Sequence, residues 1–431
     1  MRIAAVAVCI ALFTSLGLTG TVARASSVTV VYPTGDASLD AANVQQAVDG
    51  GGTVLLKATN TSGAVTAFDF GPSSFAGSSV TITVDVDLEG ATTSSGAMTT
   101  IRGGFDPIGG GNGASVTIAG LRFDHPFSDA IFLFEAGSVR IVRDRIEHVA
   151  GLPDGPGFTV ASGIAVGGGS DVTISDNVVD DVDAAFGTGI EQFGARGQVE
   201  IARNRVTGVN TTGIETTQYL TRPGQGTRID DNYVRPGPAR YAIGSAGQGI
   251  EINGHGSFAV ERNEVVCDNP NAIGIFGFGF EQFRFGPLVG PVIRHNTIRL
   301  NTEPLGAVGV AFIGEVSEAF VAQNKMSGVG YAALFTLGCA CEPASVFDSD
   351  TFFANETGAL RSGFADVFFD VPTRHATLVG RSGTVVDLGT DDVITGFSAV
   401  GASGGVGRRF TDTLKDRFAA QPQFGATFAV R

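Results

Sequence analysis

Val172-Thr-Ile174-Ser-Asp-Asn177-Val-Val179 decides the fold: apolar, any, apolar, any, any, Asn, any, apolar. The pattern returns at Val199-Glu-Ile201-Ala-Arg-Asn204-Arg-Val206. It returns again in segments ending Asn232-Tyr-Val234, Asn263-Glu-Val265, Asn296-Thr-Ile298 and Asn324-Lys-Met326. Weaker copies are Val116-Thr-Ile118, Val139-Arg-Ile141 with Asp144, and Phe347 with Asp350. From Asp144 to Asp350 the key position steps by 33, 27, 28, 31, 33, 28 and 26 residues. A helical array of fixed repeat length does not tolerate such steps; a coil with fixed strands and variable loops does. Apolar residues two apart share one face of a strand. The asparagine is expected to take the left-handed conformation of a sharp turn and to bond its amide to the next coil.

Each coil also carries a second short strand opening with Gly-Ile or similar. Examples are Gly163-Ile164, Gly189-Ile190, Gly213-Ile214, Gly249-Ile250, Gly274-Ile275 and Gly309-Val310. Two or three short strands per coil, with no helical stretch between them, make an all-β solenoid of about ten to twelve coils. Its interior is expected to be a column of Ile, Val and Phe. Residues 38–49 read as a capping helix, with Leu39, Val44 and Val48 near helical spacing, and Gly50-Gly51-Gly52 stops it. Thr53 to Lys57 would open the first strand. Residues 384–397 read as a last coil, and Thr411 to Ala419 as a short closing helix. The division is 1–25 leader, 26–400 solenoid and 401–431 C-terminal cap or tail.

Of 431 residues, 62 are glycine, 16% are charged and 43% are hydrophobic, with a net charge of −15. That hydrophobic share excludes a disordered acidic chain. With lysine only at 57, 325 and 415, the charge excludes a basic nucleic-acid binder. Ile3 to Leu18 is apolar apart from Thr14 and Ser15, and Ala23-Arg24-Ala25 suits a signal peptidase. Export to an extracellular or periplasmic space is therefore expected. The apolar run is short for a membrane span, and no later segment reaches about 20 apolar residues. Removing residues 1–25 takes away Arg2, Arg24 and no acid, leaving −17. Cys9 leaves with the leader, and the odd set Cys267, Cys339 and Cys341 cannot all pair within one chain.

The helix with "VQQAVDGGGTVLL", then "VTIAGLRF", then the "VTISDN" and "GIE" series resembles right-handed parallel β-helix repeat proteins of the pectin-lyase-like superfamily. The resemblance spans about residues 28–400 and implies a single-stranded right-handed parallel β-helix. That superfamily includes pectate lyases, polygalacturonases, epimerases, tailspikes and non-catalytic surface proteins, so fold alone does not assign function. The polygalacturonase motifs do not carry over. In Asn210-Thr211-Thr212 a threonine stands where the family has a carboxylate. Asp230-Asp231 falls in the turn slot, and Gly254-His255-Gly256 follows its strand instead of preceding it.

In three successive coils the residue after Gly-Ile is glutamate: Glu191, Glu215 and Glu251. With the isoleucines inward, alternation turns these acids outward, about 4.8 Å apart. In "GFGFEQF" either Phe276 or Glu281 continues the column, and Ala165 precedes it. Two such carboxylates repel by roughly 1 kcal/mol in water and about 3.5 kcal/mol at an effective dielectric of 20. A cation, a shared proton or an arginine would relieve this, and calcium is the cation that suits such oxygens. In the resembling lyases such outward acids bind calcium, and a nearby basic residue abstracts a proton. By position alone, Arg196 and His255 are the catalytic candidates. Arg222 and Arg284 join the three glutamates as substrate-binding candidates. His125, His148, His295 and His375 show no metal-binding spacing. The sequence expectation is a polysaccharide-directed protein, a cation-dependent lyase or a hydrolase-like enzyme. The alternative is a non-catalytic surface or structural repeat protein.

Overall fold

A left-handed residue just before each ladder position bends the chain and sets each rung on the next. The computed structural model describes residues 28–399, except 151, 154–158, 220–224, 238–246, 270–271, 280–285, 301–307, 329–330, 336–346, 358–366, 370–372, 381–383, 388–389 and 397. The expected leader, the closing helix at 411–419, Cys339, Cys341, Arg222, Glu281 and Arg284 lie outside the described residues.

Strands run in parallel along three faces. The Gly-Ile strands pair in one register, with Ile164, Ile190, Ile214, Ile250, Ile275 and Val310 on successive rungs. The strands before the asparagines stack likewise, bringing Ile174, Ile201, Ile229 and Val260 into line, all fully buried. Among the described residues the short strands that follow the ladder positions belong to an eleven-stranded sheet. No helix among the described residues is long and apolar enough to cross a membrane.

The left-handed residue is not the asparagine. It is the residue before it: Asp176, Arg203, Asp231, Arg262 and His295 have φ between 53° and 61°. One such residue turns the chain, and this frees the asparagine to enter the interior. There the Asn177 backbone N–H and Nδ2 both donate to Oδ1 of Asn204, each at 3.0 Å, and Nδ2 also donates to the Ile141 carbonyl. The same bonds join Asn204 to Asn232, Asn232 to Asn263, Asn263 to Asn296 and Asn296 to Asn324. The ladder then continues to Asn355, not to Asp350 as the spacing suggests. Phe352 is the reason: it pairs with Val321 and fills that core position, whereas Phe347 and Asp348 pair with Val316 and Ser317 in a small separate sheet. Asp350 accepts from the Ala319 N–H instead.

The glycine of each Gly-Ile strand is required by close approach. A Cβ on Gly213 would lie 2.1 Å from Val234 Cγ1 and 2.7 Å from the Gly249 carbonyl oxygen. The strand therefore lies directly against the next face of the coil.

A helix, α1 (Ala37–Asp49), covers the N-terminal end. Asp36 caps it by accepting from the Ser38 and Leu39 N–H groups. Val44 and Val48 are inward as expected, but Leu39 is 52% exposed. Asp40 takes the inward position in its place. It accepts from Thr34 N–H and hydroxyl, Gly35 N–H and Asp69 N–H, tying the helix to the first coil. Val28–Val31, ahead of the helix, pairs in parallel with Gly52–Leu56, so the Thr53 strand is the second and not the first.

Candidate functional site

The registers that align the isoleucines also fix their outward neighbours. One outward column runs Phe132, Ala165, Glu191, Glu215, Glu251, Phe276 and Ala311. Phe276, not Glu281, therefore follows Glu251. Three acids sit between apolar residues on both sides. The neighbouring outward column places Phe193, Thr217, Asn253 and Phe278 on successive rungs. Phe134 is 48% exposed and its ring centroid lies 6.2 Å from that of Phe193, while Phe276 and Phe278 lie 5.8 Å apart. Gly167 makes room for the first pair, since a Cβ there would meet Phe193 and Phe134 at 2.5 and 2.6 Å. The acids are thus bracketed along the solenoid axis by two phenylalanine pairs.

The carboxyls are partly buried. Ser162 Oγ donates to Glu191 Oε2 at 3.0 Å. Asn253 Nδ2 donates to Glu251 Oε1 at 3.0 Å and reaches Glu215 Oε1 at 3.5 Å. The central Glu215 receives the least support. Desolvation raises all three above the usual carboxylate range. Glu215 is raised most steeply, by desolvation and then by the charges of Glu251 and Glu191. Glu251 is pushed up to about 7, mainly by desolvation, with the hydrogen bond from Asn253 opposing it. Tyr219, beside them, is pushed up to about 12 by burial and by Glu191 and Glu215.

Several other stacked acids on this solenoid are paired with arginines. Asp230 pairs with Arg228 and Arg262, Glu261 with Arg262 and Arg294, and Glu147 with Arg122 and Arg145. Among the described residues no basic side chain forms an ion pair with Glu191, Glu215 or Glu251. The interior is the expected stack of Ile, Val and Phe, with Ile190, Ile214 and Ile250 beside the column, and one strip of it is polar. Thr216 and Gln218 both donate to Gln192 Oε1, and Gln225 donates to Gln218 Oε1.

Arg196 is held by Glu135, Nη2 to Oε2 at 3.1 Å. His255 lies against Gly286, whose added Cβ would fall 1.7 Å from its Nε2. His255 follows Glu251 by four residues, a span of about 13 Å in extended chain. Neither is among the groups that shift the glutamates. Asn210 and Thr211, from the incomplete polygalacturonase motif, both donate to the Ala185 carbonyl and serve the turn.

The donor set fits calcium only in part. Calcium takes six to eight oxygens at about 2.3–2.6 Å. Here the Ser162 hydroxyl and the Asn253 amide N–H already point at the carboxylates, while the Thr212 hydroxyl donates to Gln248 Oε1. Asn253 Oδ1, buried and without a hydrogen-bond partner, would join an oxygen cage only if the amide turned over. Protons suit the arrangement as it stands.

Ser162, Asn253, Phe134, Phe193 and Phe278 are not among the sequence candidates; Thr212 and Phe276 enter there only as a motif position and as one of two continuations of the column. Asn253 was accessible in principle, being two residues beyond Glu251 and hence on the same face.

Residues 75–234 match the family model described as right handed beta helix region. No curated protein and no solved structure matches the chain at a significant level.

Proposed function

We propose that this right-handed parallel β-helix is an exported protein that acts on polysaccharide laid over the Glu191–Glu215–Glu251 column, with the glutamates carrying the proton transfers. One observation carries the reading: three registered, desolvated carboxyls with no ion pair to a basic side chain among the described residues, unlike Asp230, Glu261 and Glu147. A carboxyl held near 7 keeps a proton to give to a leaving oxygen at neutral pH. An ionised neighbour can act as base or nucleophile. Adjacent rungs are about 4.8 Å apart, close to the roughly 5–5.5 Å separation of a retaining glycosidase pair. The phenylalanine pairs offer apolar faces on which sugar rings can lie. Export rests on the apolar run Ile3 to Leu18 and on Ala23-Arg24-Ala25.

Hydrolysis by carboxyls is favoured over lyase chemistry, because Arg196 is engaged by Glu135 and His255 lies well along the chain from the column. The test is a panel of uronate and neutral polysaccharides, assayed for reducing ends and unsaturated products, with and without chelator. The expected result is new reducing ends without unsaturation, insensitive to chelator and reduced about 10²- to 10⁴-fold in Glu215→Gln. Unsaturated products lost on chelation would instead establish a calcium-dependent lyase. No turnover on any substrate would leave a non-catalytic repeat protein and overturn the proposal.

A further inference from the structure

Sequence spacing shows no relation between His125 and His148, yet the solenoid brings them together. Asp124 pairs with Glu147 on the next rung, which sets the two histidines that follow them one above the other. Their rings stack with centroids 4.6 Å apart and planes 20° apart. His125 Nδ1 is 2.8 Å from Asp124 Oδ1, and His148 Nδ1 is 3.5 Å from the same oxygen. One ligand atom from each of the three residues lies within 4.8 Å of the others.

We propose that Asp124, His125 and His148 bind a divalent transition-metal ion of the zinc class. On a tetrahedral ion with bonds of about 2.0–2.1 Å, ligand atoms lie about 3.3 Å apart. The two observed Nδ1 to Oδ1 distances bracket that value. Two imidazoles and one carboxylate suit zinc, copper, nickel or ferrous iron; calcium and magnesium prefer oxygen alone. A single carboxylate oxygen shared by two Nδ1 atoms satisfies one N–H well and the other poorly. A metal ion in place of those protons engages both rings once one of them swings out of the stack to aim its nitrogen at the shared ion.

The scaffold is set in advance. Both histidines are left-handed turn residues, with φ of 56° and 57°. His125 N–H donates to the Glu147 carbonyl at 3.0 Å, and the His125 carbonyl accepts the Ser73 hydroxyl. The neighbouring Glu147 is already taken by Arg122 and Arg145, so it does not compete as a ligand. Arg102 Nε lies 3.8 Å from Asp124 Oδ2 with its side chain 64% exposed, and the charge of Arg122 also acts on Asp124. The histidine side chains are 57% and 50% exposed, so water can fill the remaining positions on the ion.

The site is tested by titrating zinc into the full chain by calorimetry and cobalt(II) by visible absorption. His125→Asn and His148→Asn keep a residue that tolerates the left-handed turn. Circular dichroism verifies that each variant folds. The expected result is one saturable zinc site, weakened at least about tenfold in His125→Asn, His148→Asn and Asp124→Asn. His375→Asn is the control: its Nδ1 pairs with a single aspartate, Asp348, at 2.8 Å, and zinc binding should be unchanged. Glu215→Gln should also leave zinc binding unchanged, which separates this site from the glutamate column. No saturable zinc heat, or equal heats in the wild type and the folded His148→Asn variant, would overturn the proposal.

Discussion

The asparagine ladder from Asn177 to Asn355 and the glutamate column of Glu191, Glu215 and Glu251 are built alike, one polar residue per rung. Their energetics are opposite. An amide carries both a donor and an acceptor, so a stack of amides completes itself: every Nδ2 meets the next Oδ1 and a backbone carbonyl. A carboxylate only accepts, so a stack of carboxylates cannot complete itself without protons, cations or arginines. Elsewhere this molecule supplies arginines, as at Asp230 and Glu261. At the glutamates the described residues supply the Ser162 hydroxyl and the Asn253 amide. Repetition stabilises the first column and leaves the second chemically active.

The largest expected effect lies in the ladder. Asn232→Ala should remove the acceptor for the buried Asn204 N–H and the donor to the Ile201 carbonyl. At about 1–3 kcal/mol per orphaned group, the loss should be about 2–6 kcal/mol in chemical denaturation. A loss below about 0.5 kcal/mol would mean that the ladder is an ornament.

Ile201→Ala tests the apolar column beside it. The side chain is fully buried, so the cost should be about 2–5 kcal/mol. An unchanged midpoint would refute the inward assignment.

Asp144 heads the ladder and mixes the two chemistries. It accepts from Leu121 N–H through Oδ1, while Oδ2 is buried and unbonded, and desolvation pushes its pKa up to about 8. Folding at pH 7 therefore requires it to take up a proton that the unfolded chain has lost. By the ladder pattern, an amide at 144 would instead donate to the Ile118 carbonyl. Asp144→Asn should stabilise the protein by about 2 kcal/mol at pH 7, and by less toward pH 4. Destabilisation at pH 7 would break the analogy.

The smallest effect is at the column. Its acids have folded pKa values above the unfolded 4.5. The folded state thus binds more protons than the unfolded state above that pH. Their contribution to stability is complete below pH 4.5 and declines as pH rises through 7. Glu215→Gln should flatten this part of the melting-temperature profile relative to wild type, with a gain of about 1 kcal/mol at pH 7 after allowing for screening. A wild-type profile as flat as the mutant's would show that the column is fully solvated.

The comparison also shows why the columns were unequally legible. A ladder of identical residues repeats its own signal, so Asn177 through Asn324 stood out from spacing alone. Asn355 did not, because the loop before it hid the register and Asp350 occupied the expected spacing. The glutamates are visible as "GIE" in three coils, but their lack of an ion pair among the described residues is not. His125 and His148 show no metal-binding spacing, since 22 intervening residues conceal a separation of one rung.

What the sequence determined by itself is therefore whatever period two and the coil repeat encode: the solenoid, the inward isoleucines, the outward glutamates and the capping helix. These follow from local alternation and from a motif that recurs in every coil. Tertiary structure alone decided which residues meet across rungs. It put Leu39 outside and Asp40 inside, chose Phe276 to follow Glu251, gave Arg196 to Glu135 and stacked His125 on His148. The physical reason is the variable loop. Neighbours across a rung are separated by a chain segment whose length the core does not restrict, so only the folded register reveals them.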